Sequence, residues 1–128
     1  TYFSGWDYYS ADGGLISNPY DMSIFFQALM NGQIVNQTSL NEMLTWKTPK
    51  ETDPDFYNIH YGMGIFKIET AEGIAYMHSG DAIGYYANML YFPADSTTIV
   101  YAVNSNYGKI DRFVSTQEAM DKIIDITK

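Results

Sequence analysis

A histidine, a serine and a glycine stand in a row at His78-Ser79-Gly80, followed by Asp81-Ala82-Ile83 and a second glycine, Gly84. An apolar run from Ile74 to Met77 leads in, and another from Tyr85 to Phe92 leads out. The pattern reads as a strand that ends in an open, hydrogen-bonding edge, followed by a return strand. A side chain able to carry positive charge, a hydroxyl and a glycine at such a point can grip an anionic group beside exposed backbone N–H groups.

The remaining combinations of reactive residues are weaker. His60 and His78, the only two histidines, have no metal-ligand spacing and no carboxylate at helical distance. Neither a metal nor a cofactor is expected. Asp53 and Asp55 resemble a calcium pair, but no further ligand or loop glycine follows, so a solvated loop is the expectation. There is no G-x-S-x-G elbow. None of the seven Lys and Arg residues has a serine three positions before it, so the Ser-x-x-Lys arrangement is absent. Tyr86-Ala87-Asn88 has the form Tyr-x-Asn but lies within a predicted strand.

The bulk properties narrow the field. The 128 residues make one domain's worth of chain. A net charge of −8, with no basic run, argues against nucleic acid and against an anionic membrane surface. No apolar run approaches the roughly 20 residues of a membrane span. The absence of cysteine excludes disulfides and thiolate chemistry without fixing a compartment. Aromatic residues make up 16% of the chain, enough for a dense core or a stacking cleft. The opening Thr-Tyr-Phe-Ser reads as though cut from something longer.

The elements that must position the triplet follow in order. Residues 1–16 read as an aromatic-packed loop closing at Asp12-Gly13-Gly14. Ser17 offers a cap, Pro19 fits the first helical turn, and Asp21 meets the positive end of the helix dipole. Met22, Phe25, Phe26, Leu29 and Met30 recur at helical spacing as far as the stop at Asn31-Gly32. Ser39 to Glu42 has capping-box spacing and predicts a short helix over 40–46, before a polar loop over 47–58. Strands are expected over 59–69, 74–79, 85–92 and 97–104, joined by short turns into an antiparallel meander. Strands three and four are apolar on both faces, more than the visible helices are expected to cover. Ser115 to Glu118 opens an amphipathic terminal helix carrying Met120, Ile123 and Ile124. The fold class is α+β: a four-stranded antiparallel meander with a C-terminal helix packed on it and helices before it.

Several segments resemble the serine beta-lactamase-like family, which groups class C beta-lactamases, D-alanyl-D-alanine carboxypeptidases, penicillin-binding proteins and related esterases. Ser10 to Met22, with Gly13-Gly14-Leu15 and Ser17, is similar to that family's Gly-Gly-Leu-x-Ser segment. Tyr61-Gly62-Met63-Gly64-Ile65 resembles its Tyr-Gly-x-Gly strand, and His78-Ser79-Gly80 its third motif, written Lys-Thr-Gly or His-x-Gly. With Phe92-Pro93, Val103-Asn104 and the terminal helix, the resemblance covers roughly residues 10–125.

In that family a serine of Ser-x-x-Lys is the nucleophile and a Tyr-x-Asn element supplies a proton relay, both ahead of the Gly-Gly-Leu segment. Neither is present here. The resemblance therefore implies that residues 1–128 are the C-terminal portion of a single beta-lactamase-like domain. It implies substrate contacts at His78, Ser79 and Gly80, an oxyanion donor at the backbone N–H of Asp81, and no activity from these residues alone. It further implies a beta-lactam, D-alanyl peptide or ester substrate, an exported protein, and a bare strand edge over 97–104 able to pair with another chain. The alternative is a non-catalytic cell-wall or carbohydrate-binding module that uses its tyrosines as platforms.

Overall fold

The computed structural model describes residues 15–51, 57–82, 84–104 and 115–128. The aromatic segment before Leu15 and the Asp53–Asp55 pair lie outside these residues. The first helix, α1 (Pro19–Met30), is capped by Asn18, whose side chain accepts from the Asp21 N–H at 3.0 Å, with Pro19 in the first turn. It closes at Asn31, and Gly32 follows at φ +70°. The second helix, α2 (Gln37–Met43), starts earlier than its capping-box spacing predicts. Asn36 caps it by accepting from the Ser39 N–H at 2.9 Å, so the expected cap residue lies inside the first turn.

Five strands follow, not four: β1 (Ile59–Tyr61), β2 (Phe66–Thr70), β3 (Gly73–Ala82), β4 (Tyr85–Phe92) and β5 (Thr97–Val103). They form one antiparallel sheet in the order β1-β2-β3-β4-β5. The extra strand arises because the run from Ile59 to Glu69 reverses at Gly62-Met63-Gly64-Ile65. Gly64 there takes φ +73°, a conformation cheap only for glycine. Gly62 passes so close to the end of α2 that a Cβ on it would stand 2.2 Å from the Met43 carbonyl oxygen. The Met63 N–H donates to that oxygen at 2.8 Å, which locks the reversal to α2. Lys47 extends the margin by exchanging backbone bonds with Tyr61.

The terminal helix, α3 (Thr116–Thr127), has the predicted capping box: the Ser115 side chain accepts from the Glu118 N–H and the Glu118 carboxylate from the Ser115 N–H. It lays Met120 and Ile124 on one face of the sheet, against Ile68, Ala75, Met77, Leu90, Phe92 and Ile99. The Tyr57 hydroxyl, donating to the Asp121 carboxylate, pins the helix at its side; burial and that carboxylate push the phenol's pKa well above its ordinary range. The opposite face carries α1, with Phe26 and Leu29 against Ile65 and Tyr91, and Met43 and Trp46 beside Tyr76 and Met89. The result is three layers, helix–sheet–helix, with Phe26, Ile68, Leu90 and Met120 completely buried. Each such side chain contributes about 1.5–3 kcal/mol by leaving water.

Both faces of the central strands are thus covered more fully than the sequence suggests. Leu15, Ile16, Tyr20, Ile24 and Phe25 nevertheless remain exposed on and before α1. The strand β5 ends the sheet, and its outer edge has no partner strand among the described residues.

Candidate active site

The His-Ser-Gly triplet lies within β3 and not past its end, because β4 continues to pair as far as Ala82↔Tyr85. This strand has two unlike halves. From Gly73 to Met77 it pairs with β2, joined by β4 at Tyr76 and Met77; from His78 to Ala82 it pairs with β4 alone, since β2 reaches no further than Phe66↔Met77.

The ladder settles which backbone groups are left over. Thr70 pairs with Gly73, and Ala82 with Tyr85, each across two intervening residues. Partners that close in sequence pair only by exchanging their own two hydrogen bonds, and antiparallel alternation then fixes the rest. Positions 73, 75 and 77 bond toward β2, and positions 78, 80 and 82 toward β4. The two hairpins give the same phase independently. The N–H and C=O groups of Ser79 and Asp81 therefore point to the side that β2 has vacated: two donors and two acceptors on an edge that is bare among the described residues.

Side chains alternate across the sheet, so the predicted site residues do not share a face. Ser79 and Asp81 belong with Met77 and Leu90 on the α3 face; His78 and Gly80 belong with Tyr76 and Met89 on the α1–α2 face. The half-buried His78 has its ring 5.5 Å from that of Phe66, which stands 4.5 Å from Tyr61. Gly80 is exposed, and a Cβ added there would meet nothing within 4 Å. Its backbone is also absent from the glycines with positive φ. Nothing within the fold requires a glycine at this position.

Beside the edge lies an open cleft of about 710 Å³, between the end of α2 and the β1–β2 reversal. Tyr61, Met63 and Phe66 give it an aromatic and apolar wall; Glu42 and Lys47 bring opposite charges to it. Phe66 belongs to both the cleft and the contact with His78, so cleft and edge form one continuous surface. The sequence reading missed this wall. Its only signal was the aromatic pair Tyr61 and Phe66 at the two ends of a glycine-rich stretch.

At the back of the edge is a polar patch in the core. Tyr86, opposite Asp81, stands near Ser79 and Tyr101. Burial raises its pKa, and the Ser79 and Tyr101 hydroxyls oppose the rise. Tyr101 is pushed well above the ordinary phenol range, first by burial. Elsewhere, His60 Nδ1 lies 3.2 Å from the Thr48 hydroxyl. No three ligating side chains cluster among the described residues, and no described helix is long and apolar enough to cross a membrane.

Comparison with known proteins places this geometry. The D-amino acid amidase of Ochrobactrum anthropi SV3, in complex with D-phenylalanine, superposes with a TM-score of 0.70 at 24% identity, over 86% of this chain and 36% of its own. A D-stereospecific amidohydrolase from Streptomyces sp. gives 0.65 at 22%, over 85% and 29%, and a penicillin-binding protein from Bacillus halodurans 0.61 at 22%, over 85% and 29%. These likenesses are of fold, and the chain spans about a third of the length of each such structure. The family model described as Beta-lactamase matches residues 2–120. With a family match over nearly its whole length and the sheet, edge and terminal helix in place, the chain belongs to the beta-lactamase family.

Proposed function

We propose that this chain is the substrate-gripping part of an acyl-transferring serine hydrolase, with the nucleophilic serine and its base supplied by polypeptide outside these 128 residues. The observation that carries the reading is the edge of β3, where the backbone groups of Ser79 and Asp81 have no partner strand among the described residues and lie near an aromatic cleft. An extended acyl substrate adds to such an edge as a strand would. The N–H of Asp81 is one donor to the oxyanion that forms during acyl transfer, and the second donor comes with the nucleophile. His78 approaches the substrate from the cleft side, and Ser79 meets it through its backbone.

The cleft favours an amide, ester or beta-lactam with an apolar or aromatic side chain, which Tyr61 and Phe66 would hold by stacking. The D-amino acid amidase that shares the fold was solved with D-phenylalanine and with L-phenylalanine amide, ligands of that character. D-Alanyl peptides fit the same edge, and with them an exported, cell-envelope location.

The test is acylation of the full-length gene product by a fluorescent penicillin, followed by hydrolysis of D-phenylalanine amide. Labelling is expected for the full-length protein and not for the 128-residue chain. His78→Ala should slow acylation about tenfold, the worth of one lost charge-assisted contact of roughly 1.5 kcal/mol. Labelling of the short chain at the full-length rate, or acylation indifferent to His78→Ala, would refute the assignment. Sugar binding by the short chain without any labelling of the long one would favour the carbohydrate-binding alternative.

A further inference from the structure

The Tyr86-Ala87-Asn88 stretch has no place in the acyl-transfer reading so far, yet it contains Asn88, which is 2% exposed and the one buried residue with an amide or charged side chain among those described. A position that only needed filling would be served as well by leucine, since replacing a poorly satisfied polar group with an apolar one of like shape is neutral or better. Asn88 Nδ2 donates to the Tyr101 hydroxyl at 3.1 Å, while Oδ1 has no hydrogen-bond partner. Asn88 is paired directly with Ser79 on one side and with Tyr101 on the other. By the ladder phase above, the Ser79–Asn88 pair is of the non-hydrogen-bonded kind, in which facing side chains stand closest.

Tyr86 completes the set. It is 6% exposed, its ring centroid lies 6.1 Å from that of Tyr101, and Ser79 and Tyr101 both act on its hydroxyl. Ser79, Tyr86, Tyr101 and Asn88 thus form a cluster of four side chains on the α3 face. Asn88 is bonded to Tyr101, and its unpartnered Oδ1 belongs to the residue directly across from Ser79. A serine hydroxyl has one proton to donate and rotates freely. Turned toward Tyr86 or toward Asn88, it stays tied to buried groups.

We infer that Asn88, Tyr101 and Tyr86 are positioning residues that tether Ser79 from the back of the sheet and so hold the unpaired N–H and C=O groups of Ser79 and Asp81 where a substrate must meet them. From His78 onward β3 loses the β2 partner that its earlier residues have, and the buried cluster takes that strand's place. The inference rests on the reading of this edge as the substrate-binding edge.

The experiment uses the full-length protein carrying Asn88→Leu, Ser79→Ala and the double substitution. The readouts are acylation by a fluorescent penicillin, amide hydrogen exchange at His78 and Gly80, whose N–H groups bond toward β4 on either side of Ser79, and the urea midpoint. Asn88→Leu is expected to slow acylation about three- to tenfold, the worth of one buried hydrogen bond, mainly through weaker apparent binding. It should speed exchange at the two amides by a similar factor and leave the midpoint unchanged or higher. In the Ser79→Ala background, Asn88→Leu should have no further effect on either rate. Exchange unchanged by Asn88→Leu, or losses that simply multiply in the double variant, would overturn the inference. A wild-type protein that takes no label would overturn the serine-hydrolase reading instead, and the exchange rates still decide whether Asn88 anchors the edge.

Discussion

Gly80 offers the sharpest separation of fold from function. A Cβ built on it meets no atom within 4 Å, and its φ is not positive, so alanine fits the backbone without strain. Replacing glycine by alanine at such a position lowers the entropy of the unfolded chain and stabilises by about 0.4–1 kcal/mol. The same methyl projects from the face that carries His78, beside the bare edge at Ser79 and Asp81. A substrate strand lying along that edge must then recede or overpack, at a cost of about 1–3 kcal/mol, equivalent to about a 5- to 150-fold slower acylation. Gly80→Ala in the full-length protein should therefore raise the urea midpoint slightly while depressing acylation by a fluorescent penicillin by more than fivefold. A lowered midpoint would show that the fold does require this glycine. Full acylation with a raised midpoint would show that no substrate approaches this face, and the edge would lose its assigned role.

Gly62 should behave in the opposite way. Its Cβ would stand 2.2 Å from a backbone oxygen that cannot swing aside, so Gly62→Ala should cost about 2–4 kcal/mol through overpacking and loss of the Met63-to-Met43 bond; a denaturation midpoint within error of wild type would refute the close approach. The Asp95 carboxyl is held at about 2, first by the Thr97 N–H and then by Lys128. Because this folded value lies below the ordinary 3.8, the stabilisation is complete above about pH 4 and lost as pH falls through about 2. Asp95→Asn should flatten the acid limb of a stability–pH curve, and more at low salt than at high salt because the carboxylate is exposed. The bare outer edge of β5 predicts concentration-dependent self-association of the 128-residue chain, suppressed by Ala102→Lys and read by sedimentation; a monomer at every concentration would remove the edge as an interaction surface.

What could be read from the sequence was whatever local chemistry decides. Pro19 and Asp21 announce the start of α1, although the cap is Asn18 and not Ser17, and Ser115 with Glu118 announces that of α3, because a cap acts within four residues of itself. The start of α2 was misplaced because Asn36 and Ser39 both have capping side chains, and only the packed structure chooses between them. The division of the first strand was hidden for a different reason. What turns the chain at Gly62 is the carbonyl of Met43, a residue on another element, and no period within residues 59–69 encodes it. The triplet was found by residue type, but its division between two faces follows from a pairing register that is fixed by two hairpins on either side.

That reversal is also what leaves the edge bare. The β2–β3 register, continued past Phe66↔Met77, would set residue 65 against His78 and residue 64 against Ser79. A straight strand over 59–69 would thus have occupied the very edge that a substrate needs. Instead Gly64 turns the chain at φ +73°, Gly62 admits the α2 carbonyl, and the residues withheld from β3 become the wall of the cleft, with Tyr61, Gly62 and Met63 all lining it. The glycine pair therefore does two things with one bend: it ends β2 one residue short of His78 and builds the surface on which a ligand would rest beside it. On this argument a loss of activity in Gly62→Ala would not be a mere consequence of lower stability. Restoring the midpoint with a distant stabilising substitution should leave acylation impaired, and full recovery would show that the bend serves the fold alone.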